Sequence, residues 1–75
     1  MPNRYRQLYI EVAKVPGETI YGLSKLLNME YRRTHDYAYK LINEGKVKKR
    51  EVFENGRRKV KLYPVSYTND LNNHD

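Results

Sequence analysis

The sequence predicts a single small α+β domain, mainly helical, in which three helices precede a C-terminal β-hairpin. Two observations predict it: apolar residues recur at helical spacing as far as Gly45, and they alternate at a spacing of two on either side of Asn55-Gly56. The chain of 75 residues is too short for a second core or a large internal cavity. We expect residues 1–65 to form the domain and residues 66–75 a polar, flexible tail, so that the domain surface carries the function.

The first predicted helix spans residues 3–14. Its apolar stripe recurs at spacings of three and four and comprises Tyr5, Leu8, Tyr9, Val12 and Ala13. Pro16 and Gly17 end the helix, because the residue before proline avoids helical backbone and glycine permits a reversal. We expect Tyr5, Tyr9 and also Tyr37 to lie in the core or at its rim, with their hydroxyls in water.

The second predicted helix begins after Thr19, whose hydroxyl can cap it. Its apolar residues are Ile20, Leu23 and Leu27. Gly22 and Ser24 are small, which leaves room for a neighbouring helix to approach closely. Asn28 follows at once and tolerates the left-handed backbone of a tight turn, so a third helix is expected to start soon after it.

The third predicted helix spans residues 30–44 and stops at Gly45. The side expected to face the core carries Thr34, Tyr37, Ala38 and Leu41. The opposite side carries hydrogen-bonding groups and no aliphatic residue: Arg32, His35, Asp36, Tyr39 and Asn43. This helix therefore offers a polar surface for recognition.

A hairpin follows, with strands over residues 47–54 and 58–65. Asn55-Gly56 suits a two-residue type I′ turn, in which both residues need a positive φ. In the return strand the residues expected to face the helices are Val60, Leu62 and Pro64. Those expected to face away are Lys59, Lys61 and Tyr63.

The charge of the chain is concentrated in this hairpin. Residues 46–61 contain eight basic and two acidic side chains, so the net charge of this segment equals the net charge of +6 of the whole chain. Single-sign charge on an ordered scaffold favours an anionic polymer as partner. The chain has no cysteine, which excludes disulfides and thiolate sites, and no apolar run approaches a membrane span. We expect a cytoplasmic protein.

From residue 19 to residue 62 the sequence resembles the winged helix-turn-helix domains of bacterial and archaeal transcription regulators, notably the MarR-like and ArsR-like groups. The residues at the characteristic offsets are Leu23, Ser24, Leu27, Asn28, Met29, Thr34, Ala38, Leu41, Gly45 and Val47. The segment from Asn55 to Lys59 is similar to the charged wing tip of MarR-like proteins. Asn28, Thr34 and Lys46 depart from the residues usual at their positions without breaking the fold.

The resemblance implies a sequence-specific regulator of transcription that binds double-stranded DNA. A helix-turn-helix reads base edges from the first turns of its second helix, which lies in the major groove. The expected base-reading residues are Tyr31, Arg32, His35, Asp36 and Tyr39. The residues expected on the DNA backbone, with the wing on phosphates or in the minor groove, are Arg33, Lys40, Lys48, Lys49, Arg50, Arg57, Arg58, Lys59 and Lys61.

Two other functions fit the same fold. One is a winged-helix module that binds proteins in a larger assembly, which would need an exposed apolar patch on the third helix or the hairpin. The other is non-specific architectural DNA binding. Neither a metal site nor an enzyme is expected, because His35 and His74 share no ligand spacing, and no cofactor or small-molecule substrate is implied. We expect a homodimer on DNA, formed through Tyr5, Tyr9 and Ile10.

Overall fold

The computed structural model describes residues 3–65. The elements are α1 (Arg4–Lys14), α2 (Ile20–Leu26), α3 (Tyr31–Asn43), β1 (Val47–Glu54) and β2 (Arg57–Pro64). This order confirms the predicted three helices and C-terminal hairpin. The expected tail at residues 66–75 lies outside the described residues.

The helix ends follow the side chains that cap them. The Asn3 side chain accepts a hydrogen bond from the Arg6 amide at 3.1 Å, and the Thr19 hydroxyl accepts one from the Gly22 amide at 2.9 Å. The caps lie just outside the helices, so α1 begins one residue later than predicted. α3 is one residue shorter than predicted at each end, with Glu30 and Glu44 at its cap positions, although the Glu30 side chain makes no capping hydrogen bond.

The turn between α2 and α3 has the predicted left-handed residue. Asn28 has φ 52°, and Gly45 after α3 has φ 75°. Arg4 holds this turn from α1, since its guanidinium donates to the Leu27 carbonyl at 2.5 Å and the Asn28 carbonyl at 3.3 Å. The carbonyls at the end of a helix have no partner within it, so Arg4 caps the end of α2 with a charged donor.

The core lies between the three helices and the base of the hairpin. Its fully buried members are Leu8, Val12, Ile20, Leu23, Ala38, Leu41, Val47 and Leu62. Thr34 is buried with them, and its hydroxyl donates to the Glu30 carbonyl at 2.8 Å. Tyr5 and Tyr37 pack edge-to-face at the rim with ring centres 6.0 Å apart, which confirms their predicted place.

The predicted apolar stripe of α1 was too wide. Tyr9 is 44% exposed, although it was expected in the core or at its rim, and Ala13 is exposed as well. Among the apolar residues of α1, only Leu8 and Val12 are buried. They are four residues apart and so lie on one line along the helix. Tyr9 and Ala13 each follow one of them by one residue, which turns their side chains toward solvent.

The hairpin has the predicted turn. Asn55 and Gly56 have φ 54° and 76°, as a type I′ turn requires, and the last pair before the turn is Glu54 with Arg57. β2 therefore starts and ends one residue earlier than predicted. Val60 and Leu62 pack into the core as expected. Tyr63 lies on the other face by alternation but is half-buried, close to Gly17.

The segment between α1 and α2 adds a short edge to the sheet, which the sequence analysis did not predict. The Gly17 amide donates to the Leu62 carbonyl at 2.8 Å, and the Leu62 amide donates to the Glu18 carbonyl at 3.1 Å. Thr19 forms a bridge with Lys61. Both backbone groups of Leu62 are thereby paired with this segment, which fixes the base of the hairpin against the helices.

The side chain nearest to Gly22 is that of Glu18, not one of a neighbouring helix. A methyl group there would collide with the Glu18 carboxylate, which folds over the start of α2. That carboxylate accepts a hydrogen bond from the Thr19 amide at 3.0 Å. The small residue leaves room for a local cap.

Candidate nucleic-acid interface

The first two turns of α3 expose three of the five side chains predicted to read bases. Arg32 and Asp36 are exposed, and Tyr31 is 49% exposed. Thr34, Ala38 and Leu41 hold the opposite side of α3 in the core. The buried side fixes the rotation of the helix, so Arg32 and Asp36 point to solvent from a rigid element.

Three of the predicted base-reading residues belong to a row of rings, here called the aromatic row: Tyr21, Tyr31, His35 and Tyr39. The successive ring centres are 6.3, 6.0 and 4.6 Å apart. The three rings of α3 are spaced four residues apart and so lie along one side of the helix. At the far end, Lys49 of β1 places its ammonium 5.3 Å from the centre of the Tyr39 ring.

Tyr39 therefore lies closer to the core than the sequence analysis expected. The residue was assigned to the outward side of α3, but it is half-buried and packs against the core. The reason is that the aromatic row faces the hairpin, and Lys49 lies against its last ring. His35 is half-buried in the same row. Tyr31, Arg32 and Asp36 are the exposed members of the five candidates.

The sequence analysis did not select Tyr21. Its ring is 58% exposed at the start of α2, next to Tyr31, and the Lys25 ammonium lies 5.2 Å from its centre. Its position between the buried residues Ile20 and Leu23 is the sequence signal that marks it as outward-facing. Its closeness to α3 depends on how the two helices pack.

The register divides the hairpin into two faces. The helix-side face comprises Val47, Lys49, Glu51 and Phe53 of β1 with Arg58, Val60, Leu62 and Pro64 of β2. The outer face comprises Lys48, Arg50, Val52 and Glu54 of β1 with Arg57, Lys59, Lys61 and Tyr63 of β2. Five of the seven predicted wing cations therefore lie on the outer face.

Two glutamates pair with four of these cations. Glu51 lies 2.9 Å from Lys49 and 3.3 Å from Arg58. Glu54 lies 3.4 Å from Lys59 and 3.5 Å from Lys61. Within residues 3–65, no carboxylate forms an ion pair with the remaining wing cations, Lys48, Arg50 and Arg57. These three are the charges most available to an external anion.

The ion pairs perturb the acid groups in the expected direction. A hydrogen bond from Lys49 lowers the pKa of Glu51, and one from Lys59 lowers the pKa of Glu54. The hydrogen bond to Glu51 raises the pKa of Lys49 in turn. Both carboxylates are thus charged at neutral pH and partly neutralise the hairpin.

An open cleft of about 830 Å³ separates the tip of the hairpin from the start of α2 and α3. One wall carries the rings of Tyr21 and Tyr31, and the other carries Arg57, Arg58 and Lys59. The cleft thus has aromatic groups on one side and cations on the other.

Lys40, a predicted backbone contact, lies on a different side of α3. Its ammonium is 5.3 Å from the ring centre of Tyr5 in α1, and that of Lys46 is 5.5 Å from the same ring. The Tyr5 hydroxyl donates to Glu44, which raises the pKa of Tyr5 and lowers that of Glu44. The structure therefore does not bring Lys40 to the cleft. Arg33 is exposed on α3.

Within residues 3–65, no group of three or more histidine, aspartate or glutamate side chains is arranged to hold a metal ion. No helix in that range is long and apolar enough to cross a membrane.

The architecture of three helices and a two-stranded antiparallel wing is that of a winged-helix domain. The fold is similar to that of a MarR protein from Peptoclostridium difficile, with a TM-score of 0.74 and 22% identity. The match covers 89% of this chain and 43% of that protein, so this chain spans less than half of its length. No protein-family model and no curated protein matches the sequence. The MarR-like part of the sequence resemblance is thus confirmed at the level of the fold.

Proposed function

We propose that this chain is a sequence-specific regulator of transcription that binds double-stranded DNA and has no enzymatic activity. The observation that carries the proposal is the position of the basic hairpin beside the exposed side of α3, with Lys49 against Tyr39 at their junction. If a DNA duplex held α3 in its major groove, the phosphates or the minor groove of that duplex would lie next to the hairpin. The MarR-like fold supports this arrangement.

Base reading would belong to the start of α3. Arg32 can donate two hydrogen bonds to a guanine, and Asp36 can accept one from a cytosine amino group. Tyr31 can contact a thymine methyl group or a phosphate. His35 and Tyr39 are held in the aromatic row, so we assign them contacts at the hairpin edge of the groove.

Backbone contacts would come from the hairpin and the flanks of α3. Arg57, Lys48 and Arg50 are the first candidates, because they have no ion pair within residues 3–65. The paired cations Lys49, Arg58, Lys59 and Lys61 would contribute less, since each must first give up a carboxylate. Arg33 and Lys40 would contribute on the flanks of α3.

A homodimer would give this regulator two half-sites. One recognition helix covers only a few base pairs, so specific binding usually uses two half-sites about one helical turn apart. Tyr9 and Ile10 of α1 are 44% and 42% exposed and line a groove of about 430 Å³ with Tyr5, Arg6 and Lys46. This is the apolar surface on which we place the symmetric contact.

Selection of bound sequences from a random duplex pool tests the proposed function. A regulator should yield a sharp consensus, and a dimer should yield two copies of it about one helical turn apart. A flat pool with retained affinity would favour architectural binding. Absence of duplex binding at low salt would reject both and favour a protein-binding module.

Sedimentation with and without the selected duplex tests the dimer. Ile10→Glu should give a complex with one protein chain per duplex, because it places a charge in the α1 groove. Leu26→Glu is the matched control, since Leu26 is 55% exposed on α2 and lies outside this groove. Equal assembly of the two variants would contradict an interface on α1.

A further inference from the structure

Phe53 is an exposed aromatic residue in a basic hairpin. Its side chain is 76% exposed, more than that of any other large apolar residue in the described chain. Most of the other hairpin side chains are charged, and Phe53 is the large exposed apolar side chain among them. With this exposure, Phe53 contributes little to the core.

The position of Phe53 relates it to α3. It shares the helix-side face with Lys49, which contacts Tyr39 of α3, and lies four residues further along β1. Four residues of strand span about 13 Å. The centres of adjacent grooves of DNA are about 17 Å apart, half a helical turn. If α3 occupies the major groove, the strand carries Phe53 most of the way toward the centre of the neighbouring minor groove.

The charge around Phe53 identifies the kind of partner. Its cross-strand neighbour on the same face is Arg58, which forms an ion pair with Glu51. Arg57 and Lys59 flank Arg58 along β2, with their side chains on the outer face. An exposed apolar side chain on a hairpin rich in cations fits a polyanion that also offers apolar surface, and the stacked bases of DNA offer it. Proteins that bind the minor groove insert Phe, Leu, Ile or Met between base steps and thereby kink the duplex.

We propose that Phe53 is an apolar wedge that enters the minor groove beside the α3 site, partly unstacks one base step and bends the DNA. This inference rests on the proposed function, since it requires duplex binding. It adds DNA deformation to that function. Sequence preference would then include a flexible pyrimidine–purine step at a position that no side chain reads by hydrogen bonds.

The test measures the bend and the unstacking separately. Energy transfer between dyes at the two ends of the selected duplex reports the bend, and 2-aminopurine placed at successive positions reports unstacking by an increase in fluorescence. The native chain should bend the duplex by roughly 20–90° and brighten the probe at one step. Phe53→Ala should lose both signals and keep its salt slope, because no phosphate contact is removed. Phe53→Leu should retain much of the bend.

Val52→Ala is the matched control, because Val52 is the preceding residue and points to the outer face. It should bend DNA as the native chain does. A native complex with a straight duplex, or an unchanged bend with Phe53→Ala, would overturn the inference while leaving the proposed function intact. A chain that binds no duplex would overturn the proposed function and this inference together.

Discussion

Arg58 and Glu51 form an ion pair across the hairpin, with 3.3 Å between the guanidinium and the carboxylate. Arg57, the preceding residue, points to the outer face and has no ion pair within residues 3–65. To bind a phosphate, Arg58 must therefore break an ion pair, whereas Arg57 need not.

We predict that Arg57→Ala weakens DNA binding more than Arg58→Ala does. The loss should be similar on the selected and on a scrambled duplex, because a phosphate contact carries no sequence information. Arg57→Ala should lower the slope of log affinity against log salt by about 1. Titrations at several salt concentrations measure this, with Lys14→Ala, an exposed cation at the end of α1, as control. A larger change of slope for Arg58→Ala would contradict the assignment.

Glu51→Gln should strengthen DNA binding. The substitution keeps the size of the side chain but releases Lys49 and Arg58 from their carboxylate. The affinity at low salt and the salt slope should both rise for every duplex. Glu11→Gln serves as control, since Glu11 lies on α1. Unchanged or weaker binding by Glu51→Gln would contradict a competition between this carboxylate and DNA for the two cations.

The hairpin ion pairs should also depend on pH. The pKa of Glu51 in the folded chain lies below its ordinary value of 4.5, because Lys49 donates a hydrogen bond to it. The contribution of this carboxylate to stability is therefore fully present above pH 4.5 and is lost as the pH falls through its lower folded pKa. Carboxyl NMR titration should place the midpoint of Glu51 below 4.5. Lys49→Met should move that midpoint upward, and a midpoint insensitive to this change would refute the pairing.

Arg4→Met should destabilise the domain by about 1–2 kcal/mol, because charged donors to carbonyls contribute more than neutral ones. The substitution leaves the Leu27 carbonyl at the end of α2 without its donor. Thermal or urea unfolding measures the free energy of unfolding, and Arg6→Met on the same helix is the control, since Arg6 is exposed. Equal free energies of unfolding for the two variants would mean that water satisfies the Leu27 carbonyl as well as Arg4 does.

The features predicted correctly from the sequence are those set by local chemistry. Asn55-Gly56 determines its turn through the positive φ of both residues, and Asn28 determines the turn before α3 in the same way. The core side of α3 followed from the spacing of Thr34, Ala38 and Leu41. Each of these depends on residues within a few positions along the chain.

The features missed depend on contacts between distant segments. The edge formed by residues 17–19 has no period of its own, and it exists because Leu62 offers both backbone groups to it. The exposure of Tyr9 and the partial burial of Tyr39 depend on what packs beside each helix. The pairing of Glu51 with Arg58 depends on the hairpin register. The sequence therefore shows which hairpin residues are charged, but it does not predict which of the cations form ion pairs.

Arg32 tests base reading by α3 most directly, because it is exposed and points outward from this helix. Binding of Arg32→Ala should be measured on the selected duplex and on a scrambled duplex of the same length and salt. If Arg32 donates twice to a guanine, the variant should lose about 1–3 kcal/mol on the selected duplex and relax preference at one position. Its affinity for the scrambled duplex should change little. Equal losses on both duplexes would contradict base reading by α3.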